Sequence, residues 1–436
     1  MKRLLGVYMD RTLAFTAHVD FVSEKIGKRC RMIGAVANTE WGWMKDTLTK
    51  LYNCQIKTIM HYGAPAWRPW ISDTNVATLE RMDQRALRMI TGQSVGSPCE
   101  AIRLESGVTS FGTVRKRNIL TAKERALRCT EDHPAQIAVS NDGIRQRIKI
   151  RKGFRHTADQ LSEYLPPQSI NRRPINLTVP PPWEKHGALQ VTVADASTKK
   201  AATDDNLLRE STLEEIRREE ADYILYSDGS AVGGTLDGGS AVVITKGHPE
   251  DPEVLEIRRT KGSPITCSTE EETAAMESAK NWIQEKAQPG TKILICTDSN
   301  ALCQALVNPQ VGEFAILKKE LERMPVNIHV KWVPAHVNMP GNELADKEAK
   351  EARNIDEEPR PISYQTIKQL IRRNIKDPPT QHEQTRHVYE HYKLGNDEAI
   401  TNRADQTLIA KIRTGHWKQF REFKSRVDGG KTDPYC

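Results

Sequence analysis

From residue 223 the chain alternates between short apolar runs and amphipathic helical runs, and this order limits the possible folds more than any other feature. Three strands come first, "YILYSDGS", "GGSAVVIT" and "EVLEIRRTK", and they read as an antiparallel meander with a Gly-rich first turn. A helix over 269–286, the strand "KILICT", helices over 299–307 and 312–324, the strand "VNIHVKWV" and a helix beginning at 341 follow. Strands reached through helical crossovers join a sheet in parallel. The order therefore predicts an α/β fold, with a mixed five-stranded sheet flanked by helices.

The chain before this region has a different pattern. Residues 1–150 are predicted to be mostly helical, because apolar residues recur every three to four positions, as in the stripe Leu48, Leu51, Tyr52, Ile56 and Ile59. The stretch "TLERMDQRALRMITG" predicts an amphipathic helix that ends at Gly92, with Arg81, Arg85 and Arg88 on one side. That basic side fits either a solvated surface or a surface that faces phosphates.

Two segments lack a clear sheet or core pattern. Residues 151–220 include the proline-rich "LPPQSINRRPINLTVPPPW" and predict an extended linker that ends in a short charged helix. Residues 354–436 form a basic tail with helical stretches. We therefore expect a helical region over 1–150, a linker over 151–220, an α/β domain over 221–353 and a tail over 354–436.

Composition excludes several classes of protein. No run of eighteen apolar residues occurs, which argues against a membrane span, and "MKRLLGVYMD" is unlike a secretory signal. The eight cysteines are scattered without a CxxC pair, which argues against a disulfide framework or a complete zinc site. These features predict an intracellular protein, of the cytoplasm or the nucleus, with no membrane partner.

Charge is divided unevenly along the chain. Residues 1–150 hold 24 lysines and arginines against 14 acids, whereas residues 221–353 hold 14 against 20. A basic module beside an acidic one suits a protein that binds the nucleic-acid backbone through its N-terminal region and collects carboxylates in its second. A solvated charged surface would have the same composition, so charge alone leaves both interpretations open.

Acidic residues occur where the predicted sheet would gather ligands. Asp228 ends the first strand in "YSDGS", and Asp298 ends the fourth in "ICTDSN". Each alone is more often a turn former or a helix cap than a catalytic residue. In the helix "STEEETAAMESAKNWIQEK", Glu272 falls on the apolar stripe, Glu270 lies well off it and Glu271 lies at its edge. A carboxylate on the buried face needs a partner or a metal, so Glu272 is the candidate.

Asp346, one turn into the last helix, supplies a fourth acid. Carboxylates drawn together repel one another, and a cation relieves the repulsion. Hard divalent ions with oxygen ligands fit, and Mg²⁺ fits best, with Mn²⁺ as an alternative. A pair of such ions bound by the four acids would support in-line phosphodiester cleavage. His336, in the preceding loop, could move a proton or help the product leave, although a lone loop histidine is more often a surface residue.

These residues also match a known family. The stretch 223–353 resembles a ribonuclease H domain, on the motifs "YSDGS", "EEETAAM", "TDSNAL" and "WVPAHVNMPGNELAD" in that order. The resemblance implies that Asp228, Glu272, Asp298 and Asp346 hold two Mg²⁺ ions and cleave the RNA strand of RNA–DNA hybrids. It also implies a role for the loop histidine, His336, and for Glu343 as an accessory acid.

Two positions depart from the family pattern. Glu271 stands where the family often has alanine, which leaves Glu271 and Glu272 as alternatives for the helix ligand. Ala335 stands where glycine commonly precedes the histidine, which stiffens that loop. Neither departure removes a ligand.

The flanking sequences resemble another family. The stretches "LLGVYMDRTLAFTAHVDFVSEKI", "LYNCQIKTIMHYGAPAW" and "RMDQRALRMITG" are similar to the region after the palm in reverse transcriptases of non-LTR retrotransposons. The likeness implies a thumb and connection over 1–150. "RTGHWKQF" resembles the entry to the C-terminal cysteine motif of those proteins, so the tail is expected to be truncated at the first cysteine, Cys436. No YxDD polymerase motif occurs, and DNA synthesis is not expected.

The leading hypothesis is Mg²⁺-dependent endonucleolytic hydrolysis of the RNA strand of RNA–DNA hybrids, within a retrotransposon-derived polyprotein. The alternative is a catalytically inactive remnant of a retroelement that still binds nucleic acid. An exonuclease of similar topology with a DxE first motif is disfavoured, because the residue two after Asp228 is Ser230.

Overall fold

The structure of the protein is a computed structural model that describes residues 2–140, 153–166, 171–175, 189–194, 204–308, 313–378, 400 and 402–414. Much of the proline-rich segment, most of "RTGHWKQF" and Cys436 lie outside the described residues, so the predictions made on them are not addressed by it. Within the described part of the chain, no helix is both long and apolar enough to cross a membrane.

The described elements follow one another along the chain as eight strands and a larger set of helices. The strands are β1 Lys2–Leu4, β2 Val7–Met9, β3 Gln190–Thr192, β4 Tyr223–Val232, β5 Leu236–His248, β6 Asp251–Lys261, β7 Lys292–Thr297 and β8 Asn327–Trp332. The helices are α1 Thr16–Gly34, α2 Lys45–Tyr52, α3 Thr58–His61, α4 Ala64–Trp67, α5 Asp73–Thr91, α6 Cys99–Ser106, α7 Phe111–Leu127, α8 Pro134–Ser140, α9 Phe154–Gln160, α10 Asp205–Arg218, α11 Ser268–Lys286, α12 Asn300–Val307, α13 Glu313–Glu322, α14 Pro340–Ala352, α15 Tyr364–Asn374 and α16 Arg403–Arg413. A π-helical turn, Asn53–Lys57, joins α2 to α3.

The chain forms two compact bodies. The helical body comprises Met1–Lys123, Asn141–Leu165 and Ile371–Cys436, and the sheet body comprises Glu124–Ser140 and Pro166–Leu370. These bodies do not coincide with the four segments predicted from composition, because the predicted helical region, linker and tail are each divided between them. Residues on both sides of the predicted α/β domain therefore belong to the sheet body.

The core of the helical body contains the apolar stripe predicted from the sequence. Leu48, Tyr52 and Ile56 are buried, and Leu51 and Ile59 pack partly buried against the same core. A spacing of four residues drifts by about 40° per step around a regular α-helix. The π-helical turn widens the helix between Tyr52 and Thr58 and offsets part of that drift.

The predicted amphipathic helix of this body is α5. Ser72 caps its first turn by accepting a hydrogen bond from the backbone N–H of Asn75. Gly92 ends the helix in the left-handed conformation, with φ of 68°. Arg81 and Arg85 are exposed on its outer side, and Arg88 is half-buried.

Among the described residues, six strands form one mixed sheet in the order β3-β8-β7-β4-β5-β6. β4, β5 and β6 pair antiparallel, and β7 and β8 extend the sheet in parallel from β4, which confirms the predicted meander and crossovers. The sixth strand, β3, pairs in parallel with β8 and comes from the segment predicted as a linker. It was not expected, because three residues are too few to show the alternation that predicts a strand.

Helices cover both faces of this sheet. α11, α12 and α13 pack on one face, where Leu225, Val242 and Met276 belong to one buried cluster. α10 and α14 pack on the other, where Tyr226 and Val243 belong to a second cluster. Successive residues of a strand point to opposite faces, so β4 contributes to both cores and its polar residues lie where the two cores end.

Candidate active site

Asp228 and Asp298 lie side by side at the end of the parallel pair formed by β4 and β7. Ser227 and Thr297 are the last paired residues of that pair, so the residue after each carries its carboxylate to the carboxyl edge. β4 itself continues to Val232, because β5 still pairs with it there. Asp228 therefore lies within β4, and the prediction that it ends its strand is wrong.

Glu272 joins these acids because α11 approaches β4 very closely. A Cβ at Gly229 would lie 2.3 Å from the backbone nitrogen of Glu272, so only glycine permits this approach. Asp228, Glu272 and Asp298 each offer one carboxylate oxygen that lies within 4.8 Å of those of the other two. Asp228 and Glu272 are buried and Asp298 is half-buried. We call these three residues the buried acidic group.

The buried acidic group is electrostatically strained. Burial raises the pKa of Asp228 to about 7, and the charges of Asp298 and Asp346 add to the effect. Burial, followed by the charges of Asp228 and Asp298, raises the pKa of Glu272 well above its usual range. Burial also raises the pKa of Asp298. Each of these causes disfavours the ionised form, so three carboxylates are costly here without a cation.

The group has the donors that a hard divalent cation takes. Glu272 Oε2 is buried and has no hydrogen-bond partner among the described residues. Buried polar atoms are nearly always paired, so an unpaired carboxylate oxygen beside two further carboxylates indicates a ligand that the protein chain does not supply. Mg²⁺ binds through a few carboxylates and keeps several waters. The residues present therefore fit this ion.

A second group consists of His336, Glu343 and Asp346, whose candidate ligand atoms lie within 4.8 Å of one another. His336 is exposed in the loop between β8 and α14, and its φ of 57° is left-handed. Glu343 and Asp346 are half-buried on one side of α14, about one turn apart. Lys350 Nζ donates a hydrogen bond of 2.6 Å to Asp346 Oδ2.

The two groups lie close enough to influence each other. Burial is the first cause of the raised pKa of Asp298, and the charge of Asp346 adds to it, while His336 and the Asn342 side chain oppose it. The charge of Asp346 also contributes to the raised pKa of Asp228, after burial and Asp298. The structure thus brings all five predicted site residues, together with Glu343, to one neighbourhood as two groups of three.

The other two glutamates at the start of α11 are placed differently from the prediction. Glu270 and Glu271 were expected off the buried stripe and at its edge, yet both are buried. Arg360 Nη2 donates to Glu271 Oε2 at 2.7 Å, and Ser363 Oγ donates to Glu270 Oε2 at 2.8 Å. The periodicity of one helix cannot reveal partners that far along the chain. Of the two candidates for the helix ligand, Glu272 is the one in the buried acidic group.

Sequence reasoning missed several residues that shape the site. The side chain of Asn342 lowers the pKa of Asp298, which burial raises, and Trp332 Nε1 donates to the Asp298 carbonyl at 3.0 Å. Lys350 bonds Asp346. The spacing of four residues between Asp346 and Lys350 on a predicted helix was the one available signal, whereas the contacts of Asn342 and Trp332 depend on the fold.

One part of the chain matches a known protein family. The model of the RNase H family matches residues 220–354. The match supports an RNase H domain at this place in the chain, and the mixed sheet flanked by helices is the fold expected for it. No curated protein matches the chain.

Several solved structures are similar to about a third of this chain. RNase H1 from the halophilic archaeon Halobacterium salinarum NRC-1 is 18% identical over 30% of this chain and 96% of its own, with a TM-score of 0.25. LC11-RNase H1, crystallised in complex with RNA/DNA hybrid and isolated from compost by a metagenomic approach, is 21% identical over 30% of this chain and 98% of its own, with a TM-score of 0.25. The protease–reverse transcriptase of prototype foamy virus is 20% identical over 32% of this chain and 22% of its own, with a TM-score of 0.25.

Proposed function

We propose that the sheet body hydrolyses the RNA strand of RNA–DNA hybrids endonucleolytically and with Mg²⁺, with Mn²⁺ as an alternative ion. The observation that carries this proposal is the buried acidic group, in which Glu272 Oε2 is unpaired beside Asp228 and Asp298. The RNase H family match supports the reaction class. Three acids that each resist ionisation would be a liability in a purely structural role.

Residues of both groups would take part in metal binding. Asp228, Glu272, Asp298 and Asp346 would hold two Mg²⁺ ions. When bound, such ions supply an activated water and stabilise charge on the leaving oxygen. Lys350 fixes the carboxylate of Asp346 on α14 through its 2.6 Å bond.

His336 would move a proton between the site and solvent. It is exposed, lies against Glu343 and Asp346, and belongs to a residue type that changes charge near neutral pH. Trp332 holds the backbone of Asp298 through its carbonyl, and Asn342 opposes the rise in the pKa of the Asp298 carboxylate. The site thus joins buried ligands to an exposed group that can exchange protons with water.

Substrate selectivity would come from the shape of the hybrid and its 2′-hydroxyls, which proteins contact across the minor groove. The basic helical body, with Arg81 and Arg85 exposed on α5, would add affinity for the nucleic-acid backbone. We therefore expect hybrid binding to weaken steeply as salt concentration rises. The likeness of the flanking sequences to non-LTR retrotransposon reverse transcriptases supports a retroelement origin for the whole.

A cleavage assay tests the proposal. The full chain, mixed with Mg²⁺ and a hybrid labelled on its RNA strand, should cut the RNA, lose all activity in a chelator, and leave double-stranded DNA of the same sequence intact. Equal cutting of that DNA would reject hybrid selectivity. No cutting, together with no Mg²⁺ binding in calorimetry, would favour the inactive nucleic-acid-binding remnant.

A further inference from the structure

Residues 359–366 follow the stretch that matches the RNase H family model. They contact the first turn of α11 at two anchors. The first anchor is an ion pair, in which Arg360 Nη2 lies 2.7 Å from Glu271 Oε2. Thr266 Oγ1 donates to the other oxygen of Glu271 at 2.5 Å. Both oxygens of a fully buried carboxylate are thus bonded, one of them by a charged group, which is the condition for burying such a charge.

The second anchor holds Glu270. The backbone N–H of Ser363 donates to Glu270 Oε1 at 3.2 Å, and its hydroxyl donates to Oε2 at 2.8 Å. Thr366 Oγ1 donates to the same oxygen. Ser363 Oγ also accepts a hydrogen bond from the Thr366 N–H at 3.1 Å, so Ser363 caps α15 while it binds Glu270. The donors in the 359–366 segment are themselves fixed.

The segment is tied to the rest of the sheet body. The Ile362 carbonyl accepts hydrogen bonds from Arg128 Nη1 at 2.6 Å and from the backbone N–H of Arg173 at 3.0 Å. The Ile362 N–H donates to the Asn171 carbonyl at 2.9 Å. Arg173 in turn pairs with Glu277 of α11 at 2.6 Å. These bonds make the segment a rigid support for the helix.

The strands leave room for this arrangement. A Cβ at Gly238 would lie 2.2 Å from Glu271 Oε1, and one at Gly262 would lie 2.6 Å from the same carboxylate. Both glycines stand opposite the ion pair between Glu271 and Arg360. The carboxylate of Glu271 therefore occupies a space bounded by β5, the end of β6 and the 359–366 segment.

We propose that residues 359–366 fix the rotation of the first turns of α11 and thereby direct Glu272 toward Asp228 and Asp298, with Arg360 and Ser363 as positioning residues. Consecutive residues of a helix are about 100° apart with a rise of 1.5 Å. A rotation of that size would put a neighbouring glutamate in the place of Glu272, and a smaller rotation would turn Glu272 away from Asp228. Bonding Glu270 and Glu271 on the outer side leaves Glu272 to face Asp228. The inference rests on the proposed function, because it assigns Glu272 to cation binding.

Calorimetric titration of the metal-free full chain with Mg²⁺ tests this role without using activity. Arg360→Ala should weaken Mg²⁺ binding by about 10- to 100-fold, the usual effect of removing a residue that orients a metal ligand. Arg360→Lys should retain most of the affinity, because a single nitrogen makes the contact with Glu271. Ser363→Ala, which removes one hydroxyl, should weaken binding less than Arg360→Ala and decides the matter if Arg360→Ala fails to fold by circular dichroism.

The matched control lies on the same helix. Lys280 lies eight residues after Glu272, about 12 Å along α11, and its ammonium pairs with Glu320 at 2.7 Å. Lys280→Ala breaks this pair and should lower the melting temperature without changing Mg²⁺ affinity. Wild-type affinity in folded Arg360→Ala, or in Ser363→Ala where the former does not fold, would overturn the positioning role alone. A wild-type chain that binds no more Mg²⁺ than Asp228→Asn would overturn the proposed function and this inference with it.

Discussion

On the outer side of the first turns of α11, both carboxylate oxygens of Glu271 accept hydrogen bonds. On the inner side, which faces Asp228, Glu272 Oε2 has no partner among the described residues. Burial raises the pKa of Glu271, and Arg360 and Thr266 oppose that rise. Burial also raises the pKa of Glu272, but there the neighbouring charges of Asp228 and Asp298 increase the rise. Two adjacent residues of one helix thus have the same burial and opposite electrostatics. The difference separates an acid that is paired within the fold from the acid to which we assign cation binding.

The largest expected effect comes from removing a ligand on the inner side. Asp228→Asn should abolish hybrid cleavage, by roughly a thousandfold or more, since a lost metal ligand costs several kcal/mol of transition-state stabilisation. The fold should remain, because the change removes charge from a crowded group. Cleavage of a labelled hybrid and circular dichroism measure the two effects, with Lys280→Ala as the control. Full activity in Asp228→Asn would mean that the metal site is misassigned.

A matched pair of substitutions one residue apart should act on stability in opposite directions. Glu271→Gln leaves Arg360 without its counter-charge, and we expect it to lower the free energy of unfolding by about 3 kcal/mol. Glu272→Gln removes a repelling charge, so it should raise the melting temperature of the metal-free protein. Thermal unfolding in a chelator measures both variants. Equal destabilisation by Glu271→Gln and Glu272→Gln would contradict the electrostatic difference between the two sides of α11.

A feature of the fold or the site could be predicted from the sequence when the residues that determine it lie close together along the chain. β7 was predicted residue for residue at Lys292–Thr297, and α11 to within one residue, because burial periodicity and turn residues are local. The meeting of Asp228 and Asp298 was predicted from their expected places at one edge of the sheet, although β4 continues past Asp228 to Val232. The burial of Glu271 could not be predicted, because its partner Arg360 lies 89 residues away and outside the recognised pattern.

The change of stability with pH should be smaller than the effects of these substitutions, and several acids of the site contribute to it. Because the folded-state pKa of Asp228 is raised from 3.8 to about 7, the folded protein binds this proton more tightly than the unfolded chain does. Stability of the metal-free protein should therefore increase as pH falls from 8 to 5, by on the order of 2 kcal/mol from this group. Glu272 and Asp298 act in the same direction.

Denaturant titrations of the wild type and Asp228→Asn at both pH values isolate this contribution. Groups elsewhere titrate in both proteins alike, so the slope with pH should be smaller in the variant. Saturating Mg²⁺ should reduce the slope in the wild type, since bound cation favours the ionised acids. An identical slope in both proteins would show that Asp228 is not held in a protonated state.

The smallest expected effect concerns the loop of His336, the exposed counterpart to the buried acids. Arg209 Nε of α10 donates a hydrogen bond of 3.0 Å to the carbonyl of Asn338, which like His336 has a left-handed φ of 57°. Arg209→Ala removes a bond worth about 1 kcal/mol, so cleavage should slow by roughly fivefold with Mg²⁺ affinity unchanged. Arg218→Ala, which removes a pairing with Glu214 within the same helix, is the matched control and should leave cleavage intact. Because the buried ligands do not depend on this loop, a fall in Mg²⁺ affinity in Arg209→Ala would contradict the separation between buried ligands and exposed proton carrier.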